Sequence, residues 1–508
     1  MNPISPPTDA APSAAPADAA QKDALARRVM RGAAYLGVGQ YALVAIGVIK
    51  TPILARLVAP EYYGVVALAS AWVSFISLLR MELPEVVISD AERQQARLVT
   101  QYVVEVGTAL IGVLVALALW LAIPQMASPM VWQAIFALLG VRLIFALTST
   151  PQYILRRDIR QDILTWLTLL GAVAGALLAI GAAYLGYALA ALLLDAAVPV
   201  AVLGVGSWIA AGWRPTRTWD PLIARDIRSF ALTLWTSGLL GKITWEFDDW
   251  LLGNLRGEKA LGYYSRAFYL ANLPMNLFAG VIGGIALSMY AQSKTAGREV
   301  LRRAYELTTW LLVRIVALAS IVMLAAAEEI MFILLGPKWL PVPLLLRAMF
   351  LYVLARPLFQ NNAQLLLAVR QERQFQRSMV AQALILVVVS LPAVYYWGGV
   401  GASLAVSVMQ IVGFMLAQWY TSRYLELRSL RLYALPALLL LLLTPASYAL
   451  GAAVGGGIVV TLIVKAAVGT AAFAGIVYVL ERAQVREVWA LVRHNLLRRS
   501  KGPDAETA

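Results

Sequence analysis

The chain contains no cysteine and one histidine, His494. The first absence excludes disulfide scaffolds and thiolate metal sites, and the second leaves no histidine cluster for metal or proton-shuttle chemistry. No nucleotide-binding motif is present, so neither a cofactor nor direct ATP hydrolysis is expected. Charge is scarce too: 14% of the 508 residues are Asp, Glu, Lys or Arg and 61% are hydrophobic. Soluble domains carry about a quarter charged residues. Such a chain has more apolar surface than an aqueous core can hide, and its expected solvent is lipid.

Long polar segments are also missing. Residues 1–22 are rich in Ala and Pro and read as a disordered lead, not a cleavable signal. Beyond them, a span needs about 20 mostly apolar residues. Fourteen segments qualify: 32–54, 62–81, 96–123, 129–150, 163–184, 186–211, 228–251, 261–289, 304–326, 341–367, 377–397, 399–422, 432–450 and 456–480. The expected fold class is therefore an all-α polytopic membrane protein. Its connections are short, and no odd-numbered one exceeds about fifteen residues, too few for a sizeable catalytic loop. A membrane-embedded polymerase or glycosyltransferase would need such a loop, so enzyme activity is not expected.

The net charge of +14 invites a nucleic-acid reading, and location decides against it. Thirty of the 42 Lys and Arg residues lie in the N-terminal segment, the even-numbered connections with their margins, and the C-terminal tail. Four lie in the odd-numbered connections (Arg56, Arg256, Lys259 and Lys338), and eight lie within spans. That asymmetry predicts cytoplasmic termini, and no nucleic-acid partner is expected. The basic clusters 156–160, 370–377 and 493–501 read as topology signals and anionic-lipid contacts. The 15 Trp and 21 Tyr read mainly as interfacial belts.

An internal repeat is visible. LARLVAPEYYG at 54–64 aligns with LGNLRGEKALG at 252–262, and RRDIR at 156–160 is matched in character by VRQER at 369–373. Duplicated helix units with a substrate path between them are common in transporters. The expected division is a disordered cytoplasmic lead over 1–25 and two pseudo-symmetric six-helix lobes over 26–215 and 216–425. Two further spans over 426–480 and a basic cytoplasmic tail over 481–508 complete it.

FDDWLLGNLRGEKALGYYSRAFYLANLP at 247–274 resembles the signature of the polysaccharide-transport branch of the multidrug/oligosaccharidyl-lipid/polysaccharide (MOP) exporter superfamily. ILARLVAPEYYGVVAL at 53–68, PQYILRRDIR at 151–160 and ILLGPKWLPVPLLLRAM at 333–349 fit the same family. The resemblance covers about residues 28–425 and implies fourteen spans in two lobes in a bacterial inner membrane. It further implies flipping of undecaprenyl-diphosphate-linked oligosaccharides to the periplasmic leaflet by alternating access, beside polymerase and export machinery. The products of such assembly are exopolysaccharide, capsule or O-antigen. One departure is WEFDD in span 7, where the family carries a single Asp; Asp248 matches it by its spacing to Gly253.

Charges within spans are costly and face a cavity or a partner. Arg266, Arg142, Arg356, Lys242 and Lys50 are the candidate cargo-binding cations, since a diphosphate needs cations along its path. Arg266 is the leading one, with Tyr269, Asn272 and Asn276 following it; pairing with Asp248 or Asp249 is its alternative. Asp195 is a candidate partner of Arg142, and Lys50 is placed to snorkel or to meet cargo. Glu246, Asp248, Asp249 and Asp195 are the candidate coupling or charge-pairing carboxylates. Lys242, Glu246 and Asp249 share one helix face, as a cavity strip or a neutralised ladder; Asp248, off that face near the span's outer end, is read as solvated. Gln360, Asn361, Asn362 and Gln364 after Pro357 suit a watery lumen or helix–helix hydrogen bonds. Arg314, Arg347 and Lys465 are weaker candidates. Eight basic in-span residues against five acidic favour anionic cargo over the second reading, a MATE-like ion-coupled exporter of small molecules.

Overall fold

The computed structural model describes residues 15–77, 94–218, 221–275, 280–427, 430–454 and 456–487. Among them the chain is helical, without strands. The first six helices are α1 (Ala15–Leu57), α2 (Pro60–Ile76), α3 (Gln94–Ala122), α4 (Pro129–Arg157), α5 (Gln161–Tyr184) and α6 (Ala188–Ala211). Then come α7 (Pro221–Arg256), α8 (Glu258–Pro274), α9 (Gly280–Thr295), α10 (Arg298–Ala325) and the short α11 (Ala327–Leu334). The last are α12 (Val342–Ala348), α13 (Phe350–Ala368), α14 (Glu372–Leu425), α15 (Leu430–Ala453) and α16 (Ile458–Leu480).

The protein is a multi-pass membrane protein. Among the described residues, nine helices are long and apolar enough to cross a bilayer, or ten if α12 and α13, bent by 50°, form one span. The fourteen segments read from sequence exceed that number for physical reasons. Helices α2, α8 and α9 are only 17, 17 and 16 residues long. Helix α7 is too polar, and α14 holds two helices broken at Gly398 (φ 56°, ψ −129°). The expected span 261–289 is divided between α8 and α9. Helix α1 starts at Ala15, so helix reaches into the stretch 1–25 read as a disordered lead. His494, Asn276 and the cluster 493–501 lie outside the described residues.

Small residues let these helices approach closely, as expected where lipid supplies no hydrophobic drive between them. Gly171 of α5 packs on Pro199 of α6, where a Cβ would lie 2.9 Å from the proline Cα. The tightest crossing joins α2 to α8. A Cβ on Gly64 would fall 1.7 Å from the Glu258 carbonyl oxygen, and one on Gly262 would fall 1.9 Å from that of Pro60. The contact is reciprocal: Pro60 and Gly64 occupy the places in one repeat that Glu258 and Gly262 occupy in the other. Ser128 fastens the same point, donating to Glu258 Oε1 at 2.6 Å.

Backbone turns extend the repeat and correct its register. Ile159 (φ 56°) and Arg370 (φ 60°) end α4 and α13 in the left-handed region. The residues after them close matching turns: Arg160 N–H to Leu155 O at 2.9 Å, and Gln371 N–H to Leu366 O at 2.7 Å. Residues 156–160 therefore correspond to 367–371, two residues earlier than the 369–373 chosen by charge pattern. The left-handed position is fixed by turn geometry, whereas basic side chains tolerate a slip. Gly186 (φ 88°) between α5 and α6 has its counterpart in Gly398, and Gly212 (φ 60°) after α6 has its counterpart in Glu426 (φ 57°).

Around the crossing, chain ends are stitched together. Trp339 is fully buried between Tyr63 and Tyr263, at ring-centroid distances of 5.3 and 6.0 Å, and donates to Ala55 O at 3.0 Å. Arg56 donates to Ile333 O at 2.7 Å, and Lys338 donates to Arg56 O at 3.0 Å. The end of the bundle bearing the α1–α2 and α7–α8 connections is thus closed. Because a side chain at Gly64 must push α8 away, Gly64→Leu should hold this end open. The absence of cysteine makes the test clean: a lone thiol introduced at Ser70 should react faster with an impermeant reagent applied from that side in Gly64→Leu than in the parent. Equal labelling rates would show that the crossing does not control closure.

Candidate functional site

A cavity of about 620 Å³ lies beneath the closed end. It is bounded by α1 from Gln40 to Leu54, α2 from Tyr63 to Ser70, Leu192 to Ala196 of α6, and Arg266, Tyr269 and Leu273 of α8, with Ala172 of α5. Both halves of the repeat therefore contribute to its wall. Its volume is in the range of small-ligand sites.

Two cations reach it. Lys50 Nζ contacts both oxygens of Asp195, at 2.5 and 2.8 Å, with each side chain a quarter exposed. Lys50 therefore neither snorkels to an interface nor leaves Asp195 for Arg142. The reason is topological: α1 and α6 present Lys50 and Asp195 to the same cavity. Arg266 is held differently. Its guanidinium carbon sits 4.5 Å from the Tyr63 ring centroid and 5.3 Å from that of Tyr269. Its buried Nε has no acceptor, and the side chain makes no hydrogen bond or ion pair among the described residues. The alternative of pairing with Asp248 or Asp249 is not realised. Cation–π stacking contributes only about 0.5–2 kcal/mol per ring and leaves the in-plane donors open. Thr51 Oγ1 lies 3.4 Å from the Tyr269 hydroxyl, which anchors one of the two rings.

The charged strip of α7 turns to α2 instead. Lys242 donates to Ser77 O at 2.8 Å and to Ser74 O at 3.2 Å, meeting the negative end of the α2 dipole. Glu246 accepts from Ser74 Oγ at 3.2 Å, and Arg142 of α4 acts on it electrostatically. Arg142 and Lys242 do not line this cavity. Asp248, read as solvated, is 3% exposed and accepts a hydrogen bond from Tyr264, with its second oxygen buried and unpartnered. Tyr264 lies on α8 across the short turn, a proximity that a single-span reading of α7 misses. Asp249 is half-buried beside it and feels the Arg266 charge.

Arg356 does not line the cavity either. It is 8% exposed, stacked 4.2 Å over Trp245, with Nη1 3.5 Å from Gln410 Oε1. The two asparagines of α13 are helix–helix glue and not lumen. Asn361 accepts from Tyr290 at 2.9 Å and donates to Thr309 at 3.0 Å, while Asn362 accepts from Tyr305 at 2.6 Å. Asn272 is likewise taken, by Tyr352 at 2.9 Å. Arg314 pairs with Glu481, Lys465 with Glu329 at 2.8 Å and Arg347 with Glu328 at 2.6 Å, so these weaker candidates have carboxylate partners away from the cavity.

Tyr63 was not visible as a site residue. Its only sequence signal is the doubled tyrosine before Gly64, which is repeated just past Gly262. An all-helical bundle with a charged internal cavity walled by two repeats is the build of a membrane transporter.

Comparison with known proteins gives the family. A family model described as "Polysaccharide biosynthesis protein" matches residues 53–344, and the chain belongs to that family. It is 22% identical over 322 residues to the succinoglycan biosynthesis transport protein ExoT of Rhizobium meliloti (strain 1021), covering 62% of this chain and 64% of the relative. It is 23% identical over 217 residues to the teichuronic acid biosynthesis protein TuaB of Bacillus subtilis (strain 168), covering 42% of this chain and 44% of the relative. The chain thus spans less than two thirds of either relative. Among solved structures it is similar to the lipid II flippase MurJ in an inward closed conformation, with a TM-score of 0.67 and 12% identity over 88% of this chain and 99% of that one. An inward-facing MATE multidrug transporter of the MOP superfamily aligns with a TM-score of 0.53 and 17% identity over 78% of this chain and 99% of that one. The fold is the one these two transporter structures share.

The ion pair makes an order of effects predictable. Removing one member of a partly buried pair strands a charge, whereas removing both does not. Asp195→Ala should lower the melting temperature of the purified protein more than Lys50→Met/Asp195→Leu does. A double variant melting below the single would show that the pair contributes more than mutual neutralisation.

Proposed function

We propose that the protein flips undecaprenyl-diphosphate-linked oligosaccharide units from the cytoplasmic to the periplasmic leaflet of the bacterial inner membrane, with both termini cytoplasmic. Alternating access to the cavity moves the cargo, and the protein transports without acting as an enzyme. The observation that carries this reading is Arg266: a guanidinium fixed between two aromatic rings, facing a cavity, with its donors unclaimed among the described residues. A planar fork of that kind suits phosphate oxygens, and its fixed position between ring faces preorganises the contact. Lys50 supplies a second cation, since an arriving diphosphate competes with Asp195 for it.

The other in-span charges take supporting roles. Lys242, Arg142 and Arg356 brace helices around the path, and Glu246, Asp248 and Asp249 are the carboxylates available to couple transport to a cation gradient. The loop charges support the orientation, and the relatives named for polysaccharide assembly support the cargo class. A small-cation exporter would want a carboxylate open to the cavity, and Asp195 is engaged by Lys50.

A strain lacking the gene should accumulate complete lipid-linked units on the inner leaflet, inaccessible to a periplasm-only labelling reagent. Arg266→Glu should fail to restore export while inserting at normal levels, and Arg266→Lys should restore it only in part, because a point charge neither stacks nor forks as guanidinium does. Normal export from Arg266→Glu would remove the cationic site from the mechanism. Units reaching the periplasm in the deletion strain would remove flipping altogether.

A further inference from the structure

A second cavity, of about 380 Å³, opens beside the first, and Gln40 and Leu43 of α1 line both. Leu36, Gln40, Leu43, Gly47, Lys50 and Leu54 follow one another at helical spacing down a single face of α1. At 1.5 Å per residue that face runs about 27 Å, close to the hydrocarbon thickness. One helix face therefore carries a continuous track, with Arg266 and Lys50 toward one end and the second cavity at the other.

The chemistry of the two ends differs. The first cavity holds Lys50, Asp195 and Arg266. The second holds the amides of Gln40, Gln152 and Gln161, the hydroxyls of Thr165 and Thr168, and one charge, Arg156. Gln152 and Thr168 are partly spent on carbonyls of their own helices, at 3.3 and 2.7 Å. Gln40, Gln161 and Thr165 make no hydrogen bond among the described residues. Each free amide offers an acceptor oxygen beside two N–H donors, and the threonine hydroxyl both donates and accepts. Such groups match neutral, hydroxyl-rich ligands. They are a poor bed for a hydrocarbon tail, which would leave them unsatisfied, and too weakly charged for a diphosphate. The leucines between them can cover the C–H faces of sugar rings.

We infer that the second cavity is a carbohydrate subsite, in which Gln40, Gln161 and Thr165 hydrogen-bond the neutral sugars of the cargo while Arg266 and Lys50 hold its diphosphate. The inference rests on the flippase reading and adds where the glycan sits. From Gln40 to Lys50 the track measures about 15 Å along the helix, so the subsite engages sugars set back from the phosphates. Selection among glycans then falls to α1, α4 and α5, and selection for the lipid diphosphate to α8.

The test measures binding of two probes to the full-length protein in nanodiscs: bare undecaprenyl diphosphate, and the lipid-linked pool extracted from a strain lacking the gene. The parent should bind the glycosylated pool more tightly. Gln161→Leu/Thr165→Val, at positions that line the second cavity and not the first, should bind the bare lipid as the parent does, which also reports an intact fold, and should lose about tenfold or more toward the pool. Gln161→Leu alone gives the same reading should the double variant not fold. Arg266→Ala should weaken both probes. Unchanged affinity of the second-cavity variants for the pool, or their equal weakening toward both probes, overturns the carbohydrate subsite and leaves the flippase reading standing. A parent that binds neither probe overturns both.

Discussion

The α2–α8 crossing is the constraint on which the site depends. At Gly64 and Gly262 each helix lies against a backbone carbonyl of the other, closer than any side chain permits. That approach sets Tyr63 and Arg266 on the same wall, so an aromatic face from one repeat covers a cation from the other. It also carries Trp339 and Arg56 into a closed cluster above the cavity. The ligand wall and the closure over it therefore derive from one contact between two glycines, which hydrocarbon solvent favours because close backbone packing replaces the missing hydrophobic drive.

Much of the fold was legible because lipid imposes a coarse rule. Apolar runs, charged connections and the family segments marked a polytopic helical protein before any coordinates, and the in-span charges stood out one by one. Their partners did not. Lys50 and Asp195 are 145 residues apart, and nothing along the chain says that α1 and α6 share a cavity while α4 does not. Asp248 looked solvated because its span was read alone, without the hydroxyl that α8 returns to it. Asn361 and Asn362 left lumen and helix–helix bonding both open, because polar residues in a span signal either water or a neighbouring helix, and only packing distinguishes them. The repeat was seen two residues out of register at 369–373, since left-handed turn positions leave no mark in charge pattern.

The cavity and the ion pairs divide the charges between two tasks. Pairs such as Arg314–Glu481 and Lys465–Glu329 let polar side chains persist in the bundle by neutralising them on site. Arg266 is kept by π-faces instead, which steady a guanidinium without satisfying its donors. A transporter needs both kinds: charges closed to solvent to fix helix positions, and a charge whose donors remain open to the ligand.

The Lys465–Glu329 contact also bears on how the chain is made. Lys465 sits in an otherwise apolar helix, and a lone lysine at mid-bilayer costs about 2.5–3.5 kcal/mol to insert. Glu329 lies 136 residues earlier, so the partner that neutralises Lys465 belongs to chain already made when α16 emerges. In a chain made from its N-terminus, the charge that α16 needs thus precedes the charge it carries.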